Sequence, residues 1–243
     1  MDCELIYMKE MVSVVIPTYN ERENIQKLLK EVSAALRKEF QYEIIVVDDN
    51  SPDGTAEVVR KIARSTHTRL ISRKSKSGIG SAYKKGIESS RGEIVVTMDA
   101  DFSHDPRIIP MMVEEIRNGC DMVVGSRYVE GGEIERWSLY RRIASKTASK
   151  VAKLVLGLRT NDLTTGYRAY RRDALHKIKF QELTSTGYSI LMEAVFRAER
   201  AHLRIKEIPI TFYDRRGGSS KLGFAEQLKY IITVLRLRLG WYG

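Results

Sequence analysis

The stretch GEIVVTMDADFSHDP, residues 92–106, runs a short β-branched segment into two aspartates, Asp99 and Asp101, and then into a turn-forming proline. Residues 12–16 (VSVVI), 43–47 (EIIVV), 69–72 and 121–125 (DMVVG) read as further strands. Their near-continuous apolar character fits a parallel sheet covered on both faces. The intervening segments supply the helices. Residues 20–40 carry Ile25, Leu28, Leu29, Val32, Ala35 and Leu36 at helical spacing. Asn20 followed by Glu23 has the form of a capping box. Further helices are expected after Thr55, Gly80 and Pro106. Through about residue 125 the pattern is βαβαβαβαβ, an α/β fold with an open, mostly parallel, doubly wound sheet. Ligands of such sheets bind at the carboxyl ends of the strands.

Beyond that point the chain changes character. A loop with Gly131 and Gly132 leads to a basic helical stretch at 137–156, then to NDLTTGYRAYRRDAL at 161–175. A helix at 187–201 precedes a strand RIKEIPITF at 204–212, a Gly-Ser loop at 214–223 and a last amphipathic helix. Nothing resembling a linker divides the 243 residues, so a single domain is expected. Its nucleotide-binding half spans about 12–125, its acceptor-binding half about 126–223, and its C-terminal helix about 223–243.

Lys and Arg number 41 against 31 Asp and Glu, a net charge of +10. That excess favours partners bearing phosphate: nucleotides, nucleic acid or anionic lipid. Cys3 and Cys120 lie far apart without metal-type spacing, which suggests a reducing compartment. The opening MDCELIYMKEM lacks the basic and apolar regions of a secretion signal. No apolar run approaches the ~20 residues of a membrane span.

Asp99 and Asp101 are two apart at a strand end, so both carboxylates face the same side. A hard divalent cation, Mg²⁺ or Mn²⁺, takes one or two carboxylates and completes its shell with water and phosphate. The competing reading is a turn that caps the helix after Pro106. Two more strand ends, VIPTYNE and VVDDNSPDGT, place Thr18, Tyr19, Glu21, Asp48 and Asp49 on the same edge. Three polar ends on one edge favour a binding site.

VVIPTYNERENI, IIVVDDNSPDGT, GIGSAYKKGI, MDADFSHDP, GSRYVEGG, LTTGYRAYRRDAL and DRRGGSSKLG follow one another in the order of family 2 glycosyltransferases. The set resembles the dolichol-phosphate mannosyltransferase branch, which moves mannose from GDP-mannose to a polyprenyl phosphate, and it covers about residues 12–223. The resemblance implies a GT-A type sheet. It further implies that Pro17, Tyr19 and Glu21 line the nucleoside pocket, with Asp48 or Asp49 addressing the base. Asp99 and Asp101 match the metal-binding pair, Ala100 contributes its backbone, and Asp101 and Arg127 carry the catalytic roles. Some relatives have glutamine where Ser103 stands; the shorter serine reaches a metal through water. Arg127, Arg141, Arg215 and Lys221 match basic positions around donor or lipid phosphate.

Direct displacement at the anomeric carbon inverts an α-linked donor to a β-linked product. A phosphate acceptor with a second pKa of ~6 is already anionic at neutral pH, so it needs no general base. Glu193 reads equally as a base, an orienter or a structural acid, and His104 as a loop residue. The nearest alternative is a polyprenyl-phosphate glucosyltransferase using UDP-glucose. A nucleic-acid-binding protein is disfavoured, because the basic residues are dispersed among strand-end motifs. A Rossmann dehydrogenase is disfavoured too, because PTYNE replaces the Gly-rich turn. The last helix places Phe224, Leu228, Ile231, Ile232, Leu235 and Leu239 on one face, Lys229 and Arg236 opposite, and Trp241 and Tyr242 at its end. That apolar face either packs on the core or lies in a membrane surface. The resulting expectation is a peripheral protein on the cytoplasmic face of a membrane, alone or with a small membrane-protein subunit.

Overall fold

The structure, a computed structural model, describes residues 10–214 and 224–240, without the side chains of residues 140, 141, 224 and 225. The elements are β1 (Met11–Thr18), α1 (Arg22–Leu36), β2 (Gln41–Asp48), α2 (Thr55–Ile62), β3 (Thr68–Ser72), α3 (Ile79–Ser89), β4 (Ile94–Thr97), α4 (Ile109–Arg117) and β5 (Met122–Ser126). There follow β6 (Glu133–Glu135), α5 (Leu139–Leu156), β7 (Arg168–Arg171), α6 (Arg172–Lys177), α7 (Ser189–Arg200), β8 (Ile205–Pro209), β9 (Thr211–Tyr213) and α8 (Phe224–Arg238).

A seven-stranded sheet runs β3-β2-β1-β4-β7-β5-β8, and β6 pairs with β9 beside it. β1 is parallel to β2 and β4, β2 to β3, and β5 to β8, while β7 is antiparallel to both β4 and β5. Period-two alternation builds a core on each face. Val12, Val14 and Ile16 of β1 join Ile25, Leu28 and Leu29 of α1 and Ile109, Met112 and Val113 of α4. Val15 turns the other way, onto Ala82, Tyr83 and Ile87 of α3 and the core that includes α7. The sheet is doubly wound as expected, and β1 and β4 lie side by side at its centre.

Three local expectations are corrected. Asn20 does not cap α1: it adopts φ 60°, its N–H goes to Ser51 Oγ at 3.0 Å, and the cap position falls on Glu21. The turn is clamped by the β2–α2 loop, where Thr55 Oγ1 also takes the Glu21 N–H at 3.0 Å. RIKEIPITF is not one strand but two, since Pro209 ends β8 and the chain crosses at buried Ile210 to the small sheet. RAYR, inside the 161–175 stretch to which the sequence pattern assigns no element, forms β7.

The third correction concerns α8. Its inner side is Tyr230, Thr233, Val234 and Leu237, whereas Leu228, Ile231, Ile232, Leu235 and Leu239 are exposed. The face thus has solvent over it and a second face packs on the domain. Arg236 is not on a solvated polar side: it donates to Glu193 at 3.0 Å and to Ser185 Oγ at 2.8 Å. Among the described residues no helix is long and apolar enough to cross a membrane.

Candidate active site

At the carboxyl ends of β1, β2 and β4 lies a cleft of about 280 Å³. Pro17, Tyr19, Glu21, Asp49, Asp99, Ala100 and Asp101 line it, so three separate strand ends meet there. A larger groove of about 990 Å³ runs past Leu154, Arg159, Leu203 and Arg204 to Ile205. It sits at the amino end of β8, away from the strand-end carboxylates, and we do not place the chemistry in it.

The two adjacent acids after β2 divide their tasks. Asp48 is 1% exposed and takes Thr18 Oγ1 at 2.9 Å together with the N–H and hydroxyl of Ser51 at 3.0 and 2.6 Å. It builds the turn and does not line the cleft. Asp49 does line it; its carboxylate is paired with the Arg73 guanidinium and takes the N–H groups of Ser77 and Gly78 at 3.2 Å. Lys76 stands over the Tyr19 ring at 3.9 Å and borders the same end of the cleft.

Asp99 is held by a phenol. Tyr83 of α3, fully buried, donates to its Oδ1 at 3.0 Å. Burial first, and the Asp99 charge second, push the Tyr83 phenol far above its ordinary range, so it remains a donor. Gly166 makes the approach possible: a Cβ there would lie 2.5 Å from the Tyr83 hydroxyl and 3.1 Å from Asp99 Oδ1. His104 is buried beneath and accepts the Asp99 N–H at Nδ1, 3.1 Å away, so its proton sits on Nε2. Burial pulls the imidazole below its ordinary range, although Asp99 and Asp101 push the other way. Stacked on Tyr167, the ring braces the loop.

Asp101 receives the N–H and hydroxyl of Ser103 on Oδ1, at 3.1 and 2.5 Å. Ser103 is wholly buried, so in this arrangement it orients the carboxylate from behind. Among the described residues no group of three or more His, Cys, Asp or Glu is placed to hold an ion. Two carboxylates bordering a cleft nonetheless fit Mg²⁺ or Mn²⁺, which keep water and phosphate in the rest of their shells. The donor set is one that a bound diphosphate would complete.

Arg127 is placed elsewhere. Its Nε and Nη2 each donate to Asp162 at 2.7 Å, and Nη2 reaches Thr164 Oγ1 at 2.8 Å. Burial would lower the guanidinium pKa, but Asp162 outweighs it and pushes it up, while Arg127 in turn holds Asp162 below the usual carboxylate range. Tyr128, Trp137 and Phe212 surround the guanidinium at 5.1 to 5.7 Å. Arg127 therefore ties the 162–165 loop to the end of β5 and does not line the cleft. Arg215 and Lys221 lie outside the described residues, as does the Arg141 side chain.

Glu193 is no free base. It is 0% exposed and accepts from Thr184 N, Ser185 N, Arg197 and Arg236 at 2.8 to 3.3 Å. Burial raises its pKa, yet the bonds from Ser185 and Thr184 and the Arg236 charge hold it below the ordinary carboxylate value. Strand-end reasoning missed Lys76, Tyr83, Gly187, Tyr188 and Glu226. All but Tyr83 line the cleft, and Tyr83 holds Asp99 from behind. They come from helices and a loop whose approach no local pattern encodes.

The model of the family Glycosyl transferase family 2 matches residues 13–179, which include every strand-end residue of this cleft and the strand β7. The chain belongs to glycosyl transferase family 2. Among family 2 relatives, the dolichol-phosphate mannosyltransferase of Pyrococcus furiosus is 38% identical over 234 residues, 96% of this chain and 64% of that protein. The polyprenol monophosphomannose synthase of Mycolicibacterium smegmatis is 40% identical over 214 residues, 86% of this chain and 80% of that protein. The chain thus spans less than two thirds of the length of the Pyrococcus relative. Glucosyl-3-phosphoglycerate synthase from Mycobacterium tuberculosis, crystallised with Mn²⁺, UDP-glucose and phosphoglyceric acid, superposes with a TM-score of 0.71 at 20% identity, over 94% of this chain and 80% of that one. Its complex with Mg²⁺ and UDP gives 0.70 at 20% identity, over 95% and 80%. These likenesses establish the GT-A fold.

Proposed function

We propose that this family 2 glycosyltransferase moves mannose from GDP-mannose to a dolichyl or other polyprenyl phosphate, with inversion to a β-linked product. The observation that carries the reading is the cleft itself, where Asp99 and Asp101 meet Pro17, Tyr19, Glu21 and Asp49 at adjacent strand ends. The two relatives at 38% and 40% identity, named for mannose transfer to polyprenol carriers, supply the sugar and the acceptor class.

In this reading Asp99 and Asp101 hold Mg²⁺ or Mn²⁺, which when bound offsets negative charge on the departing diphosphate. Tyr83 and Ser103 fix the two carboxylates so that little reorganisation is needed. Tyr19, Glu21 and Asp49 receive the nucleoside, whose guanine N–H groups suit a carboxylate acceptor. Lys76 brings a positive charge to that end. The acceptor phosphate is already an anion at neutral pH, so no side chain must take a proton from it. Burial of Glu193 in four hydrogen bonds is consistent with that economy. Arg127 acts by holding the 162–165 loop, and Arg141, Arg215 and Lys221 are the proposed contacts to donor and acceptor phosphates.

A polyprenyl phosphate lies in a membrane, and the exposed apolar residues suit that location. Leu139, Ile143, Val151 and Leu154 of α5 and Leu228, Ile231, Ile232, Leu235 and Leu239 of α8 are all more than half exposed except Leu228, at 47%. Basic side chains accompany them at Arg142, Lys146, Lys150 and Arg238. In this reading the protein lies on the cytoplasmic face of a membrane, where a small membrane subunit can share its recruitment. The test is transfer of labelled mannose from GDP-mannose to a short polyprenyl phosphate with Mn²⁺, read by extraction of product into organic solvent. Turnover with UDP-glucose in place of GDP-mannose, or with the free polyprenol in place of its phosphate, would overturn the assignment.

A further inference from the structure

One carboxylate in the cleft has no task in the chemistry described above. Glu226 belongs to the first turn of α8, the helix whose outer face is apolar, yet it lines the cleft with Asp99, Asp101, Gly187 and Tyr188. Lys229 donates to it at 2.7 Å, but that pair is on one helix, three residues apart, with the Lys229 side chain about half exposed and that of Glu226 22% exposed. Solvent-screened pairs within one helix contribute little to stability, so this one does not explain why an acid stands here.

The opposing backbone is shaped around it. Gly187 has φ 59°, and a Cβ built there would lie 2.2 Å from Glu226 Oε2. A side chain at 187 would both strain the backbone and expel the carboxylate. The loop before Gly187 is fixed as well, since Thr184 and Ser185 give their N–H groups to Glu193 and Ser185 Oγ takes Arg236. α8 therefore grips the segment 184–188 at two points, Arg236 and Glu226, ten residues apart along the chain.

Resting on the glycosyltransferase reading, we infer that Glu226 is a donor-binding residue, its carboxylate accepting hydrogen bonds from a vicinal diol of the nucleotide sugar. A carboxylate facing the diphosphate would repel it. One facing two adjacent hydroxyls accepts from both. The diol is on the sugar or on the ribose, and the two sources separate by experiment. The helix that presents apolar residues outward thus also completes the donor site.

The test is calorimetric binding of GDP-mannose, GDP and 2′-deoxy-GDP, each with Mn²⁺, to the full chain and to Glu226→Gln, Glu226→Ala and Gly187→Ala. Thermal melting is recorded for each variant. Loss of hydrogen bonds to a charged acceptor should weaken binding roughly ten- to a hundredfold. If GDP-mannose weakens and GDP does not, the diol belongs to the sugar. If both weaken and 2′-deoxy-GDP binds wild type and variants alike, it belongs to the ribose. Gly187→Ala should weaken the same ligand in the wild type but add little in the Glu226→Ala background. Unchanged binding in the folded Glu226 variants, or an equal Gly187→Ala effect in both backgrounds, would overturn the inference. Failure of the wild type itself to bind GDP-mannose would instead remove the functional reading, and this inference with it.

Discussion

Asp99 shares one carboxylate oxygen with the hydroxyl of Tyr83, and that phenol is wholly buried and held protonated. Removing the hydroxyl frees Asp99 to rotate, so Tyr83→Phe should weaken Mn²⁺-dependent GDP-mannose binding about 10- to 100-fold, as loss of an outer partner of a metal ligand does. Asp99→Asn or Asp101→Asn should lower turnover by at least on the order of 10²-fold while melting stays near wild type. Titration of Mn²⁺ against turnover separates the cases: Tyr83→Phe recovers at high Mn²⁺, and the Asn variants do not. Wild-type turnover in either Asn variant, or full activity after chelation, would remove the metal assignment. At this scale the sequence disclosed the acids because each follows a β-branched run, at Thr18–Tyr19–Glu21, Asp48–Asp49 and Asp99–Asp101. It could not choose between Asp48 and Asp49, since both occupy one turn, and the choice is made by Ser51, Thr18 and Arg73. Nor could it show Tyr83 or Glu226 near the cleft, because their approach depends on how α3 and α8 pack.

Elements were legible where their pattern was local and illegible where a polar group was buried inside them. β7 is the clearest case. Arg168 lies at its start with 0% exposure, donating to the carbonyl oxygens of Leu163, Thr165 and Leu191. An arginine in that position hides a central strand from any apolar count, and β7 runs against its neighbours, so no βαβ rhythm announces it either. α8 was legible as a helix, but not in its orientation: a larger apolar face points outward, and a smaller one is held in by Tyr230, Val234, Leu237 and the Arg236–Glu193 pair. Glu193 is where that docking can be measured. Removing its carboxylate leaves Arg197 and Arg236 partly buried without their partner, so Glu193→Ala should cost about 3–5 kcal/mol. Its pKa is lowered from 4.5 in the folded state, so the ionised group stabilises the fold above that value, and the contribution fades as pH falls through the lower folded value. In Glu193→Gln the stability difference from wild type should accordingly be full at neutral pH and shrink below pH 4.5, as urea unfolding at stepped pH would record. A difference that stays constant down to strong acid would mean that packing, and not charge, holds α8.

The whole molecule has a polarity that neither the sheet nor the cleft reveals alone. The strand-end cleft lies at the carboxyl edge, while α5 and α8 pack together and expose apolar side chains beside basic ones. A net charge of +10 adds attraction to an anionic surface. Core packing does not require the exposed α8 residues: Ile231 and Leu235 are 55% and 54% open to solvent. Substituting both should then leave the fold intact, since surface changes of this kind usually shift stability by within about 0.5 kcal/mol. Ile231→Glu with Leu235→Glu is expected to retain the wild-type melting temperature and GDP-mannose binding. It should lose most of its binding to vesicles containing phosphatidylglycerol, because two apolar contacts are replaced by two like charges. Transfer to a long polyprenyl phosphate in those vesicles should fall in step, and transfer to a short, detergent-dispersed acceptor should not. Two other outcomes are decisive in the opposite direction. If the double variant melts early and loses the nucleotide, the outer face of α8 supports the domain directly. If wild-type protein ignores vesicles even at low salt, where an electrostatic contribution is strongest, then a membrane partner and not the lipid surface must bring the cleft to its acceptor.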